Sequence, residues 1–153
     1  MWNEQIIMML LEGIKDTLYM TLTSTLIGYV IGLPMGILLT VTDKDGIHPN
    51  TAVYKVLDVI ANLIRSVPFL ILLIVLIPFT RFLIGRSYGP TATIVPLVIA
   101  AAPYIARMVE SSLKEVDAGV IEAARSMGAS NFTIVTKVML VEARTSLIVG
   151  ATI

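Results

Sequence analysis

Long apolar runs alternate with short polar breaks along this chain, at a spacing that suits membrane crossing. In residues 1–16, MWNEQIIMMLLEGIKD, Ile6, Leu10 and Ile14 recur every fourth position with Ile7 and Leu11 beside them, while Gln5, Glu12, Lys15 and Asp16 fall largely elsewhere on the wheel. That pattern predicts an amphipathic helix lying at a membrane surface. No charged residue occurs from Thr17 to Thr42, which marks a first membrane span. The turn-forming cluster DKDGIHPN at 43–50 closes it. A second span is expected from about Val59 to Phe82 and a third from about Tyr88 to Arg107. The uncharged stretch Ser66–Thr80 is too short to cross about 30 Å of hydrocarbon at about 1.5 Å per residue. Asn62 and Arg65 therefore belong to the second span or its edge, with Arg65 snorkelling to the interface. A fourth span starts near Val141 and is still apolar at residue 153, which predicts a longer protein.

Inside the first span Gly28, Gly32 and Gly36 repeat every fourth residue. In a membrane helix this spacing makes one smooth face for close helix packing. Pro34, Pro68, Pro78, Pro96 and Pro103 predict bends, and bent spans need neighbours to satisfy the freed carbonyls. The expected fold class is therefore all-α: a polytopic membrane helix bundle with three full transmembrane helices plus the start of a fourth. Residues 1–16 are expected to form the surface helix and 17–153 a partial membrane domain.

Composition agrees with lipid as the solvent. Hydrophobic residues make up 56% of the chain and charged residues 14%, against about 25% charged in soluble domains. Eleven basic and eleven acidic residues cancel, so no net field draws nucleic acid. Cysteine is absent, His48 stands alone and the methionines are scattered, so neither a metal site nor thiol chemistry is expected. No span carries a nucleophile–base pair, no cofactor motif is present, and there is no phosphate-cradling G-x-x-x-x-G-K-[ST] loop. The chain is expected to be no enzyme. Asn62, Ser66, Tyr104 and Glu110, near span ends, read mainly as satisfied interface polar groups, the alternative being contact with substrate or gating of its path. Positive charge sets the orientation. With the N-terminus outside, Lys44, Lys55, Arg65, Arg107, Lys114, Arg125, Lys137 and Arg144 lie inside and only Lys15, Arg81 and Arg86 outside.

The polar insert at about 117–139 breaks the oily pattern. Asp117 suits an N-cap, and Val120, Ala123, Ala124 and Met127 fall on one narrow helical face. Gly128 can end the helix in the left-handed conformation, and Ser130 can cap the next one. Two short cytoplasmic helices with a sharp bend at Gly128 are expected. Their exposed side, with small alanines and Glu122, suits either docking of a soluble protein or packing as a connector on the chain's own helices.

The same stretch, EAARSMGASNFTIVTKVML, resembles the EAA signature of bacterial ATP-binding-cassette importer permeases, with Glu122, Ala123, Ala124 and Gly128 at the matching positions. The resemblance implies a coupling helix, Met127 included, that sits in a groove of an ATP-hydrolysing subunit. GLPMGILL at Gly32, RSVPFLILLIVLIPFTRFLIG at Arg65 and IVPLVIAAAPYIARMVESSL at Ile94 are similar to the methionine-importer branch. That likeness implies a type I importer permease in the bacterial inner membrane, working as a homodimer with two ATP-binding subunits and an extracytoplasmic substrate-binding protein. It also implies five membrane helices, of which the fifth and most of the fourth lie beyond residue 153. One departure is Val141, where the family pattern often has Pro. The alternatives are a permease for another small amino acid or peptide, or a secondary transporter or channel subunit without an ATPase partner.

Overall fold

The computed structural model describes residues 3–44, 46–86 and 88–152. Helix α1 runs unbroken from Glu4 to Thr42, 39 residues, roughly 58 Å at 1.5 Å per residue. Asn3 caps it, its side-chain oxygen accepting from the Ile6 N–H at 3.0 Å. No turn separates residues 4–16 from the first span, because Gly13 is the only poor helix former there and one glycine costs only about 1 kcal/mol. Residues 3–19 are exposed on every side. Met1 and Trp2, in the expected surface helix, lie outside the described residues, as do Asp45 and Ser87 of the two expected turns and Ile153 of the final run.

The second expected span is not one bent helix. It forms α2 (Thr51–Ser66), α3 (Phe69–Val75) and α4 (Ile77–Ile84), with α2 and α3 meeting at 107°. Pro68 has no N–H to donate to the Ile64 carbonyl and disfavours helical backbone at the residue before it. Val67 accordingly sits at φ −83, ψ 126, and its N–H takes the Ile64 oxygen at 3.3 Å. Pro78 lies in the first turn of α4, where a missing N–H costs nothing.

Helix α5 (Pro90–Lys114) extends the third span by two turns and contains Pro96 and Pro103 without interruption. Among the described residues, α1 and α5 are long and apolar enough to cross a membrane, and the bent pair α2–α3 makes a third crossing if counted as one broken span. Beyond α5 come α6 (Ala118–Ser126), α7 (Asn131–Thr133), a π-helical segment Ile134–Met139, α8 (Leu140–Glu142) and α9 (Arg144–Thr152).

The main packing seam joins α1 to α5. Gly28, Gly32 and Gly36 are buried there. A Cβ at Gly32 would stand 2.8 Å from the Ala102 carbonyl oxygen, and one at Gly36 2.6 Å from that of Ala106. Only glycine lets the two backbones approach this far. The seam continues into the core: Ile105, Val109 and Leu113 of α5 pack on Ile134, Met139 and Ala143. The polar insert is thereby anchored on the end of the long helices.

Candidate functional site

Local chemistry shapes the insert. The Asp117 carboxylate accepts from the Gly119 N–H at 2.9 Å and starts α6. Gly128 ends it at φ +84, a left-handed backbone that costs an L side chain about 1–2 kcal/mol. The Ser130 hydroxyl then caps α7 through the Thr133 N–H at 3.3 Å. The two short helices and the bend at Gly128 are all present.

The narrow face splits between packing and exposure. Ile121, Ala124 and Ala129 pack against the core cluster, whereas Val120, Ala123 and Met127 are exposed. Helix α6 is apolar on more than one side, so its orientation follows from the hydrophobic surface that the segment Ile134–Met139 presents to it. Of the five residues singled out, Glu122, Ala123, Met127 and Gly128 face outward and Ala124 is half-buried. Met127 is 88% exposed, and Phe132, just past the bend, is 78% exposed. Phe132 is absent from the EAA pattern, and its one signal in the sequence is an aromatic flanked by the polar Asn131 and Thr133. The result is a surface helix with small residues, one acid and two bare apolar tips.

This helix is tied to the bundle end. The Arg125 guanidinium donates to the Ile47 carbonyl at 2.8 Å. That carbonyl belongs to the loop after α1, which folds back so that the His48 and Asn50 N–H groups bind the Val41 and Thr42 carbonyls at 3.0 Å each. Asp43, which opens the loop, accepts from Lys114 Nζ at 2.7 Å. This hydrogen bond holds its carboxyl below the usual value, against a smaller burial penalty and with help from the Lys44 N–H.

Behind the loop lies a polar network that sequence reasoning did not assemble. Lys114 Nζ also reaches Glu110 Oε1 at 2.8 Å, and Arg107 Nη1 reaches Glu110 Oε2 at 3.0 Å. Arg107 Nη2 binds the Asp58 carboxylate and the Asn62 oxygen, the latter at 3.0 Å. Asn62 and Glu110 are thus satisfied by partners in the chain. Ser66 likewise donates to the Asn62 carbonyl at 2.6 Å. Tyr104 and Arg65 instead line a cleft of about 540 Å³ at the α2–α3 break, with Val67, Phe69, Leu72 and Leu97. Among the described residues no cluster of His, Cys, Asp or Glu is arranged to hold a metal ion.

A bundle of membrane-length apolar helices carrying a capped, outward-facing helix at one end is the architecture of a polytopic membrane protein. The chain belongs to the family described as binding-protein-dependent transport system inner membrane component, whose family model matches residues 7–153. It is 49% identical over 151 residues to the D-methionine transport system permease protein MetI of Salmonella typhimurium, covering 99% of this chain and 70% of that one. The MetI protein of Escherichia coli K12 is likewise 49% identical, with the same coverage. A solved structure of the MetNI methionine ABC transporter in an inward facing conformation superposes with a TM-score of 0.95 at 48% identity, covering 99% of this chain and 70% of that one. A crystal structure of an amino acid ABC transporter with histidines gives 0.59 at 25% identity, covering 92% and 67%. The family is one of transporter membrane components rather than enzymes.

Proposed function

We propose that this chain is the permease subunit of an ATP-binding-cassette importer for methionine, working as a homodimer. Its likeness to the D-methionine permeases at 49% identity over 99% of its length carries the reading. The wider amino-acid alternative rests on a relative at 25% identity. Helix α6 is the coupling helix. Glu122, Ala123, Ala124, Met127 and Gly128 meet a groove of the ATP-binding subunit, which closes on nucleotide binding and moves the membrane helices between inward-open and outward-open populations. The small alanines allow close approach, while Met127 and Phe132 supply apolar anchors. An extracytoplasmic binding protein delivers the substrate, in keeping with the family's description.

The N-terminus lies outside and α6 in the cytoplasm, the arrangement that places most Lys and Arg inside. Residues 4–16, continuous with the first span, project beyond the outer interface before the permease domain 17–153. Glu122→Arg would oppose charge in the groove, and Gly128→Val would put a β-branched side chain on left-handed backbone. Both variants should retain assembled membrane protein but lose ATP-driven methionine uptake in vesicles. Uptake at the parent rate in both would refute the coupling assignment. Uptake of a different amino acid by the parent protein would refute the substrate.

A further inference from the structure

We infer that the ion-pair chain Asp43–Lys114–Glu110–Arg107–Asp58 is a set of positioning residues that transmits movement of the docking helix α6 to the break in the second span. The inference rests on the reading of α6 as the coupling helix and adds how its displacement reaches the membrane interior.

Three elements meet in this chain. Arg107, Glu110 and Lys114 lie along one stripe of α5, Asp43 opens the loop after α1, and Asp58 belongs to α2. Glu110 is the hub. It is 5% exposed and holds both cations. Removing either partner from a carboxylate so buried is strongly destabilising, which makes the group one unit rather than separate surface pairs. At one end, the loop opened by Asp43 receives Arg125 of α6 through the Ile47 carbonyl. At the other end, Asp58 and Asn62 stand one turn apart on α2 and share Arg107 Nη2.

Helix α2 touches α1 and α5 but buries little apolar surface. Ala61 is its one buried residue among sixteen. Scant apolar packing lets an element move as a body, and the planar guanidinium fixes which way α2 faces. Four residues past Asn62, α2 ends, and the 107° break fronts the cleft lined by Arg65 and Tyr104. A shift of α6 therefore pulls on the loop, the loop on Lys114 and Glu110, and Arg107 on α2.

The test uses the full-length permease assembled with its ATP-binding and substrate-binding partners in proteoliposomes, reading methionine taken up per ATP hydrolysed. Arg107→Lys keeps the charge and loses the fork; Asp58→Ala removes the α2 end, which is half-exposed and not part of the folding core. Each should lower the ratio about 5- to 150-fold, the ordinary range of coupling between sites, while Asp58→Glu restores most of it. An unchanged ratio, or uptake and hydrolysis falling by the same factor, overturns the inference. Spin labels at Lys55→Cys and Ser126→Cys, in an assembly freed of any other reactive cysteine, give a readout that needs no substrate. Nucleotide binding should shift α2 and α6 together in the parent and only α6 in Asp58→Ala; an α2 that stays still in the parent overturns the relay. Failure of the parent to take up methionine would sink the substrate assignment alone, leaving the label experiment to judge the relay.

Discussion

Replacing glycines of α1 one at a time by alanine grades the packing seam, because each adds the same methyl group to a different environment. At Gly13 the new Cβ meets nothing within 4 Å. At Gly28 it lies 3.1 Å from Ile105 Cδ1, the movable end of a side chain. At Gly36 it lies 2.6 Å from the Ala106 carbonyl oxygen and 2.7 Å from Val109 Cβ, both fixed to α5. Ordinary contact begins near 3.4 Å, so 3.4 − 2.6 leaves the helices to separate by 0.8 Å at that point. Overpacking of this kind costs about 1–3 kcal/mol. Alanine's intrinsic helix advantage over glycine, about 1 kcal/mol in water, applies at all three sites and cancels in the comparison. Gly36→Ala should therefore be about 1–3 kcal/mol less stable than Gly13→Ala, with Gly32→Ala close to it and Gly28→Ala between. Reversible denaturant unfolding of the detergent-solubilised full-length protein measures the series. If Gly36→Ala unfolds at the same denaturant concentration as Gly13→Ala, the close α1–α5 approach is not present in the membrane protein.

Two further outcomes follow from the capped insert and its loop. Asp117→Ala removes the N-cap of α6 and should destabilise that helix by about 1 kcal/mol, seen as roughly fivefold faster amide exchange over residues 119–127 with the α1–α5 seam unaffected; unaltered exchange would show the cap to be idle. The Asp43 carboxyl is held below its ordinary value of 3.8 by Lys114, so its contribution is complete above that value and disappears as pH falls through the lowered one. The stability gap between the parent and Asp43→Asn should stay constant from pH 8 to about 5 and close in stronger acid, and a gap that closes between pH 8 and 6 would assign the titration to another group.

Local signals in the sequence were read well where one residue suffices. Asp117, Gly128 and Ser130 each act on backbone within three residues, so the helix ends they dictate do not depend on distant packing. The four-residue glycine repeat was legible for a similar reason, since spacing alone puts the three on one face. Which side of α6 is buried was not legible. Of the narrow face, Val120, Ala123 and Met127 are exposed, while Ala124 packs together with Ile121. A nine-residue helix with apolar groups on several sides takes its rotation from the surface below it, and that surface is set by how the segment Ile134–Met139 folds back after the bend.

The prolines make the same point about the second span. Pro34, Pro96 and Pro103 stand inside continuous helices, whereas Pro68 separates two helices at 107°. Their local chemistry is alike, since each removes one N–H and crowds the residue before it. The difference lies in what supports the flanks. Helices α1 and α5 back each other along the glycine seam, so continuing the helix past a proline preserves burial worth more than the lost hydrogen bond. In α2 and α3 only Ala61 and Leu72 are buried, and little packing is forfeited when the chain turns. The polar groups on Arg107 that hold α2 come from positions 45 and 49 residues away, a pairing that no periodicity reveals. The weakly packed second span is thus both the part least readable from sequence and the part freest to move, because one cause, scant apolar contact, produces both.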